Sequence, residues 1–251
     1  MGICALCRCE AELENSHLIP QWAYKRILEL EGGDKQPVLV TSGTAALSNK
    51  QTTRRLLCKD CEQLFSIRED YVSRITRLED GQPSILKQVT RLQGPDGMAA
   101  RLSDEVDAEQ LLFFAASIIW RACVMGIGCN LGPYEPKFRE YLLGKAAFPG
   151  DVVLTMAVLE SSDHVKKPSS YLTLPSSIKA RLIWLHGFMA AGLAFRCFIG
   201  KTLNPSWRVM SLAEPGQPRY VSLMKPEEFA DFRAALSIAA KATPRGKLAR
   251  L

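Results

Sequence analysis

The chain has 251 residues, of which 47% are apolar and 23% charged, with a formal net charge of +6. These values exclude a disordered or fibrous chain and leave room for one large domain or two small ones with a buried core. Eight cysteines in a chain of this size, four of them in paired spacing, point to metal binding in a reducing compartment rather than to a disulfide framework.

The chain opens on Cys4-Ala5-Leu6-Cys7, with no basic region or long apolar run before it, so no signal peptide is expected. A second pair, Cys58-Lys59-Asp60-Cys61, lies some fifty residues on. Two such knuckles predict a tetrahedral site in which Cys4, Cys7, Cys58 and Cys61 hold structural zinc, because each two-residue spacer lets both thiolates reach one ion. Cys9 is close enough in sequence to compete for that ion. Cys123, Cys129 and Cys197 read as core residues. The alternative of redox thiols needs a thioredoxin-like setting that the sequence does not show.

Between the knuckles stands Asn15-Ser16-His17-Leu18-Ile19-Pro20. A helix is expected over Gln21–Leu30, ended by Gly32-Gly33. Residues 34–55 read as an irregular insertion in which only Val38-Leu39-Val40 is strand-like. A helix with one broad apolar face should follow Cys61 to about Leu78, broken at Gly81-Gln82-Pro83. Gly94-Pro95-Asp96-Gly97 is the strongest turn signal and marks an expected domain boundary region.

Ser103-Asp104-Glu105 is read as opening a central helix that runs through Leu111–Trp120 to about Val124. Its apolar run, stopped by Arg121, is too short to span a bilayer, so no membrane is expected and the protein is read as cytoplasmic. Pro136–Leu143 should be a shorter helix. From Val152 the chain turns β-rich, with strands expected over Val152–Leu159, Arg181–Phe188, Leu193–Ile199 and Trp207–Leu212. A last helix is expected from Lys225 to about Ala242, then a frayed basic tail. The fold class is therefore α+β. A zinc-binding module occupies residues 1–80, and an α+β region occupies 81–251, helical over 83–145, β-rich as a small antiparallel sheet over 150–223, and helical again over 225–242. Residues 1–80 hold 11 Lys/Arg and 12 Asp/Glu, whereas 81–251 hold 21 and 14, so any grip on nucleic acid should come largely from the later region.

Cys4, Cys7, His17, Ile19, Pro20, Leu57, Cys58 and Cys61 together resemble the zinc-containing HNH nucleases, which have a ββα-metal fold on a treble-clef frame. Ser-His-Leu-Ile-Pro with Leu-Leu-Cys-Lys-Asp-Cys-Glu-Gln-Leu-Phe, and the segment Phe114–Arg121, look like a bacterial group with HNH-like N-termini. The resemblance implies His17 as the general base that deprotonates water for attack on a phosphodiester, with Mg²⁺ or Mn²⁺ stabilising the transition state. It implies Ser16 and Glu62 at the positions that hold this second metal. Glu69, two helical turns beyond Glu62, projects from the same side as one further candidate, at a distance that argues against its ligating the same ion. Ser16 replaces the family's Asp, His or Glu. Thr53 occupies the place of the Asn that orients the base, with Asn49 the nearest amide. These departures keep open a catalytically inactive zinc module that binds nucleic acid or protein. His164 and His186 have no partners at motif spacing, and His186 reads as buried.

Overall fold

The structure, a computed structural model, describes residues 1–30, 36–79, 81–92, 99–201, 203–216 and 218–250. The expected turn at Gly94–Gly97 and the helix end at Gly32-Gly33 lie outside the described residues. The fold is mixed α+β, with six α-helices among the described residues.

Two short strands, β1 (Gly2–Ile3) and β2 (Glu10–Ala11), pair across the turn that carries the first knuckle. Strand β3 (Leu13–His17) then runs antiparallel to β6 (Thr53–Cys58), with His17 opposite Thr53 and Leu13 opposite Cys58. Helix α1 (Gln21–Leu30) and a hairpin of β4 (Val38–Thr41) and β5 (Thr44–Leu47) lie between them in sequence. The segment expected to be irregular thus holds two strands and the start of a third; Gly43, at φ 95°, supplies the tight turn. Strand β6 passes straight into α2 (Lys59–Ile75). Arg26 of α1 is buried and donates to Thr76 Oγ1 at 3.1 Å and Ser73 O at 3.2 Å. A guanidinium there satisfies carbonyls at the C-terminus of α2 and complements its dipole.

A β-bridge pair, β7 (Leu78–Glu79) and β8 (Gln82–Pro83), turns at Gly81. Two further strands follow, β9 (Val89–Arg91) and β10 (Ala99–Leu102), in a region expected to be helical. Helix α3 (Ala108–Met125) begins five residues after the expected cap. Asp107 is the residue that caps it, accepting from Glu109 N at 3.0 Å and Gln110 N at 3.3 Å, while Ser103 closes a turn onto Val106. Gly126 ends it in the left-handed region. Fourteen of its eighteen residues are buried, so its apolar surface faces protein on most sides. Helix α4 (Glu135–Leu142) follows as expected.

Strands β11 (Val152–Leu159), β12 (Thr173–Ala180), β13 (Ile183–Ala190), β14 (Leu193–Gly200) and β15 (Arg219–Met224) complete a sheet of order β12-β13-β14-β11-β15-β10-β9. It is larger than expected and not purely antiparallel, because β11 and β15 pair parallel. The segment Trp207–Leu212 is not a strand. Asn204 caps a helical turn, α5 (Pro205–Val209), by accepting from Ser206 N at 2.9 Å, and Pro205 favours its start. Nor is the tail frayed: after α6 (Ala230–Lys241), β16 (Thr243–Arg245) pairs parallel with β5.

The sheet is covered on both faces. Along β11, Val152, Leu154, Met156 and Val158 join the main core, while Val153, Ala157 and Leu159 join two smaller clusters on the other side. This is the period of two expected of a strand buried on both faces. Helix α3 lies between the sheet and the N-terminal elements. Phe114 meets Phe195 at 5.7 Å and Trp22 at 6.0 Å, and Phe113 meets Phe65 of α2 edge-on at 5.5 Å. One apolar cluster therefore runs from Cys4 to Leu223.

Candidate metal centre and candidate active site

The backbone brings the two knuckles together. Ala5 N donates to Leu56 O at 2.9 Å, which ties the first knuckle to β6, and Cys58 N donates to Cys4 Sγ at 3.3 Å. Arg8, at φ 65°, turns the chain back after Cys7. Cys58 is the N-cap residue of α2 and Cys61 lies in its first turn, where exposed N–H groups and the helix dipole favour negative sulfur. The ligand atoms of Cys4, Cys7, Cys58 and Cys61 all lie within 4.8 Å of one another. Four thiolates held about 2.3 Å from one tetrahedral ion stand roughly 3.8 Å apart, and the sulfurs of Cys7 and Cys58 are 3.8 Å apart. The cluster is thus positioned to bind a metal ion and is consistent with zinc.

The titration of these thiols fits a cation. Burial pushes Cys4 up, but N–H groups of Cys58, Cys7 and Leu6 outweigh it and bring the thiol down to about 7. Burial first, then the neighbouring sulfurs, push Cys61 up. Four sulfurs this close cannot all ionise without a positive charge among them. Cys9 is exposed, with its sulfur turned to Cys7 O at 3.7 Å, and stands outside the cluster.

His17, Glu62, Glu69 and Arg121 line one cavity of about 280 Å³, with Trp22 and Lys25 of α1 at its side, and Glu62 follows Cys61 in the chain. Glu62, Ser66 and Glu69 share one face of α2, as their spacing requires. Ser16 is not brought to this cavity. Successive side chains of a strand point to opposite faces, so Ser16 is fully buried, and its Oγ accepts from Leu57 N at 3.3 Å. His17, Glu62 and Glu69 do not form a second cluster of metal-ligand atoms among the described residues. Glu69 is instead committed to Arg121 in a buried ion pair. Glu62 keeps a buried Oε1 with no partner among the described residues.

Burial holds the His17 pKa below the usual histidine range, with Arg121 acting the same way; Glu62 and the side-chain amide of Gln51 oppose it. The imidazole is therefore neutral at neutral pH, the form that can take a proton. Two residues at this site were not read from the sequence. Gln51, not Thr53 or Asn49, acts on the imidazole pKa, although its Oε1 is buried without a hydrogen-bond partner among the described residues. Arg121 is 2% exposed and donates to His17 O at 2.9 Å and to Ser117 Oγ at 3.2 Å. The signal for Arg121 was available: a lone cation inside an otherwise apolar helix must be paired. Arg54 and Arg55 donate to the carbonyls of Met125 and Leu13, at 3.2 and 3.0 Å.

A larger cavity, about 520 Å³, lies on the other side of α2, lined by Arg68, Phe113, Tyr141 and Phe148 among others. It is lined by neither histidine nor cysteine. No protein-family model, curated protein or solved structure matches the chain. Fold and site define a mixed α+β protein with a four-cysteine metal-binding cluster.

Proposed function

We propose that the protein is a metal-dependent, HNH-like nuclease that hydrolyses phosphodiester bonds in nucleic acid. The observation that supports this reading best is that His17 and Glu62 line one cavity, with Glu62 the residue after Cys61 of the four-cysteine cluster. In this reading the four cysteines hold zinc as a structural ion, which fixes the end of β6 and the start of α2 and so sets His17 against Glu62. His17, neutral and with its backbone carbonyl held by Arg121, accepts the proton of the attacking water. Glu62 offers its free oxygen to a divalent cation such as Mg²⁺ or Mn²⁺. When bound, that cation supplies charge stabilisation at the phosphate oxygens. Arg121 holds the backbone of His17 and the carboxylate of Glu69 in place.

A second reading is a zinc module that binds nucleic acid or protein without cleaving it. The burial of Ser16 away from the cavity and the pairing of Glu69 with Arg121 favour it, since both leave fewer ligands for a catalytic cation. Incubation of purified protein with supercoiled plasmid and with structured RNA, with Mg²⁺ or Mn²⁺ and with EDTA, tests the two. Metal-dependent cutting that His17→Ala abolishes at unchanged zinc content supports the nuclease. A folded, zinc-loaded protein that cuts neither substrate supports the binding module.

A further inference from the structure

No Asp or Glu stands between Asp163 and Glu214, whereas seven Lys or Arg do. The fold gathers three of these cations at one end of the sheet. Lys179 and Arg181 flank the turn between β12 and β13, with Lys179 directly opposite Trp184. Lys201 follows Gly200, the last residue of β14, which pairs with Ile183 beside the same turn. All three cations are exposed, and none is in an ion pair among the described residues. Asp151, which precedes β11 at this end, is already held by Tyr134 Oη at 2.7 Å and Lys137 Nζ at 3.3 Å.

The same tip exposes apolar side chains. Leu182 is 75% exposed, Ile178 54% and Trp184 38%. Arg181 sits at φ 55°, a region that disfavours side chains like its own and that persists only where surrounding structure enforces it. Gly200 braces the turn: a Cβ there would stand 2.7 Å from Leu182 O, so only glycine lets the tip lie this close to β14. The tip thus lies close against β14, with an apolar point between unopposed cations.

We infer that the β12–β13 tip is a docking surface for double-helical nucleic acid, with Lys179, Arg181 and Lys201 on backbone phosphates and Leu182 as an apolar wedge in the groove. The choice of partner rests on the nuclease reading above. Phosphate neutralisation needs cations free of protein carboxylates, and exposed Leu beside Arg or Lys is the chemistry of side chains that press between base steps. The apolar group is small, and Lys179 covers the Trp184 ring at 5.6 Å, which fits a wedge better than a face inserted into lipid.

The test uses the full-length His17→Ala protein and a fluorescein-labelled 30-base-pair DNA duplex, without added divalent metal, titrated at several salt concentrations. Removing three phosphate contacts should flatten the slope of log affinity against log salt by about 2.7. Lys179→Ala/Arg181→Ala/Lys201→Ala should show that loss while keeping its zinc and its melting temperature. Leu182→Ser should weaken binding several-fold at unchanged slope. A triple variant with the parent's slope and affinity overturns the assignment, as does a parent that does not bind the duplex. Loss of phosphatidylserine-vesicle binding in the triple variant, with duplex binding intact, assigns the tip to lipid and also overturns it. Hairpin-dependent binding by a wild-type protein that never cuts leaves the surface standing and removes the nuclease instead.

Discussion

Arg121, in the middle of helix α3, donates to the backbone carbonyl of His17, 104 positions earlier in the chain, and pairs in the same stroke with Glu69 of α2. One guanidinium thereby joins the strand that ends in the candidate base, the helix that carries the candidate metal ligand, and the central core helix. Its plane lies against Phe65, whose ring centroid is 5.3 Å from the guanidinium carbon.

Removing one member of this buried pair should be costly. Arg121→Met leaves the Glu69 carboxylate buried without its cation and should destabilise the protein by about 3–5 kcal/mol. Arg121→Met/Glu69→Leu removes both charges and should recover much of that loss. Urea unfolding of the single and double variants decides this; a double variant no more stable than the single one refutes the account.

The metal centre should bind one ion and depend on every thiol. Cys61→Ser should abolish tight binding, because three thiolates and a neutral hydroxyl no longer neutralise and enclose the ion. Zinc released by a thiol-reactive mercurial and measured with a chromogenic chelator should be one equivalent in the parent and well below one in the variant. Because the cluster fixes the junction of β6 and α2, chelation should also expose the β3–β6 region to rapid hydrogen exchange.

The charge of Glu62 should be visible at His17. Burial lowers the imidazole pKa and Glu62 partly restores it. Glu62→Gln should therefore move the His17 pKa further down. NMR titration of the ring protons reads the change directly. An upward shift would mean that the two side chains do not face one another.

Acid should destabilise the fold through His186. This buried ring bonds Ser177 Oγ through Nδ1 at 2.6 Å, its Nε2 is buried without a partner among the described residues, and burial lowers its pKa to about 4. The folded state therefore binds this proton less readily than the unfolded state, whose histidine titrates near 6.5. Stability should be full above pH 6.5 and fall as pH drops towards 4, by about 3 kcal/mol at most. His186→Phe should flatten that part of the profile in equilibrium unfolding measurements.

The metal cluster was readable because knuckle chemistry is compressed into a few residues, Cys4 to Cys7 and Cys58 to Cys61. The central helix was readable because an apolar run of that length has few alternatives. Strands were expected over Arg181–Phe188 and Leu193–Ile199, and β13 and β14 pair there across a turn at Ala191-Gly192. What escaped depends on distant partners. Val89–Arg91 and Ala99–Leu102 are short and partly polar, and become strands only by pairing with one another and with β15. Strand β12 carries Pro175 and a register shift, which hide its pattern, and β16 exists only because β5 lies beside it. Arg121 escaped for the same reason. Its meaning lies in what it touches at His17, which no local spacing encodes.

The order in which the chain is synthesised follows from the placement of these residues. All four cysteines precede Arg121 in the chain, so the candidate metal ligands are made before the residue that completes the neighbouring pocket. The cavity next door has no such head start. Its wall waits for Arg121, and the strand that flanks the β4–β5 hairpin waits for Thr243–Arg245. The four candidate ligands are therefore complete before the pocket can be, and only the pocket depends on the later helix.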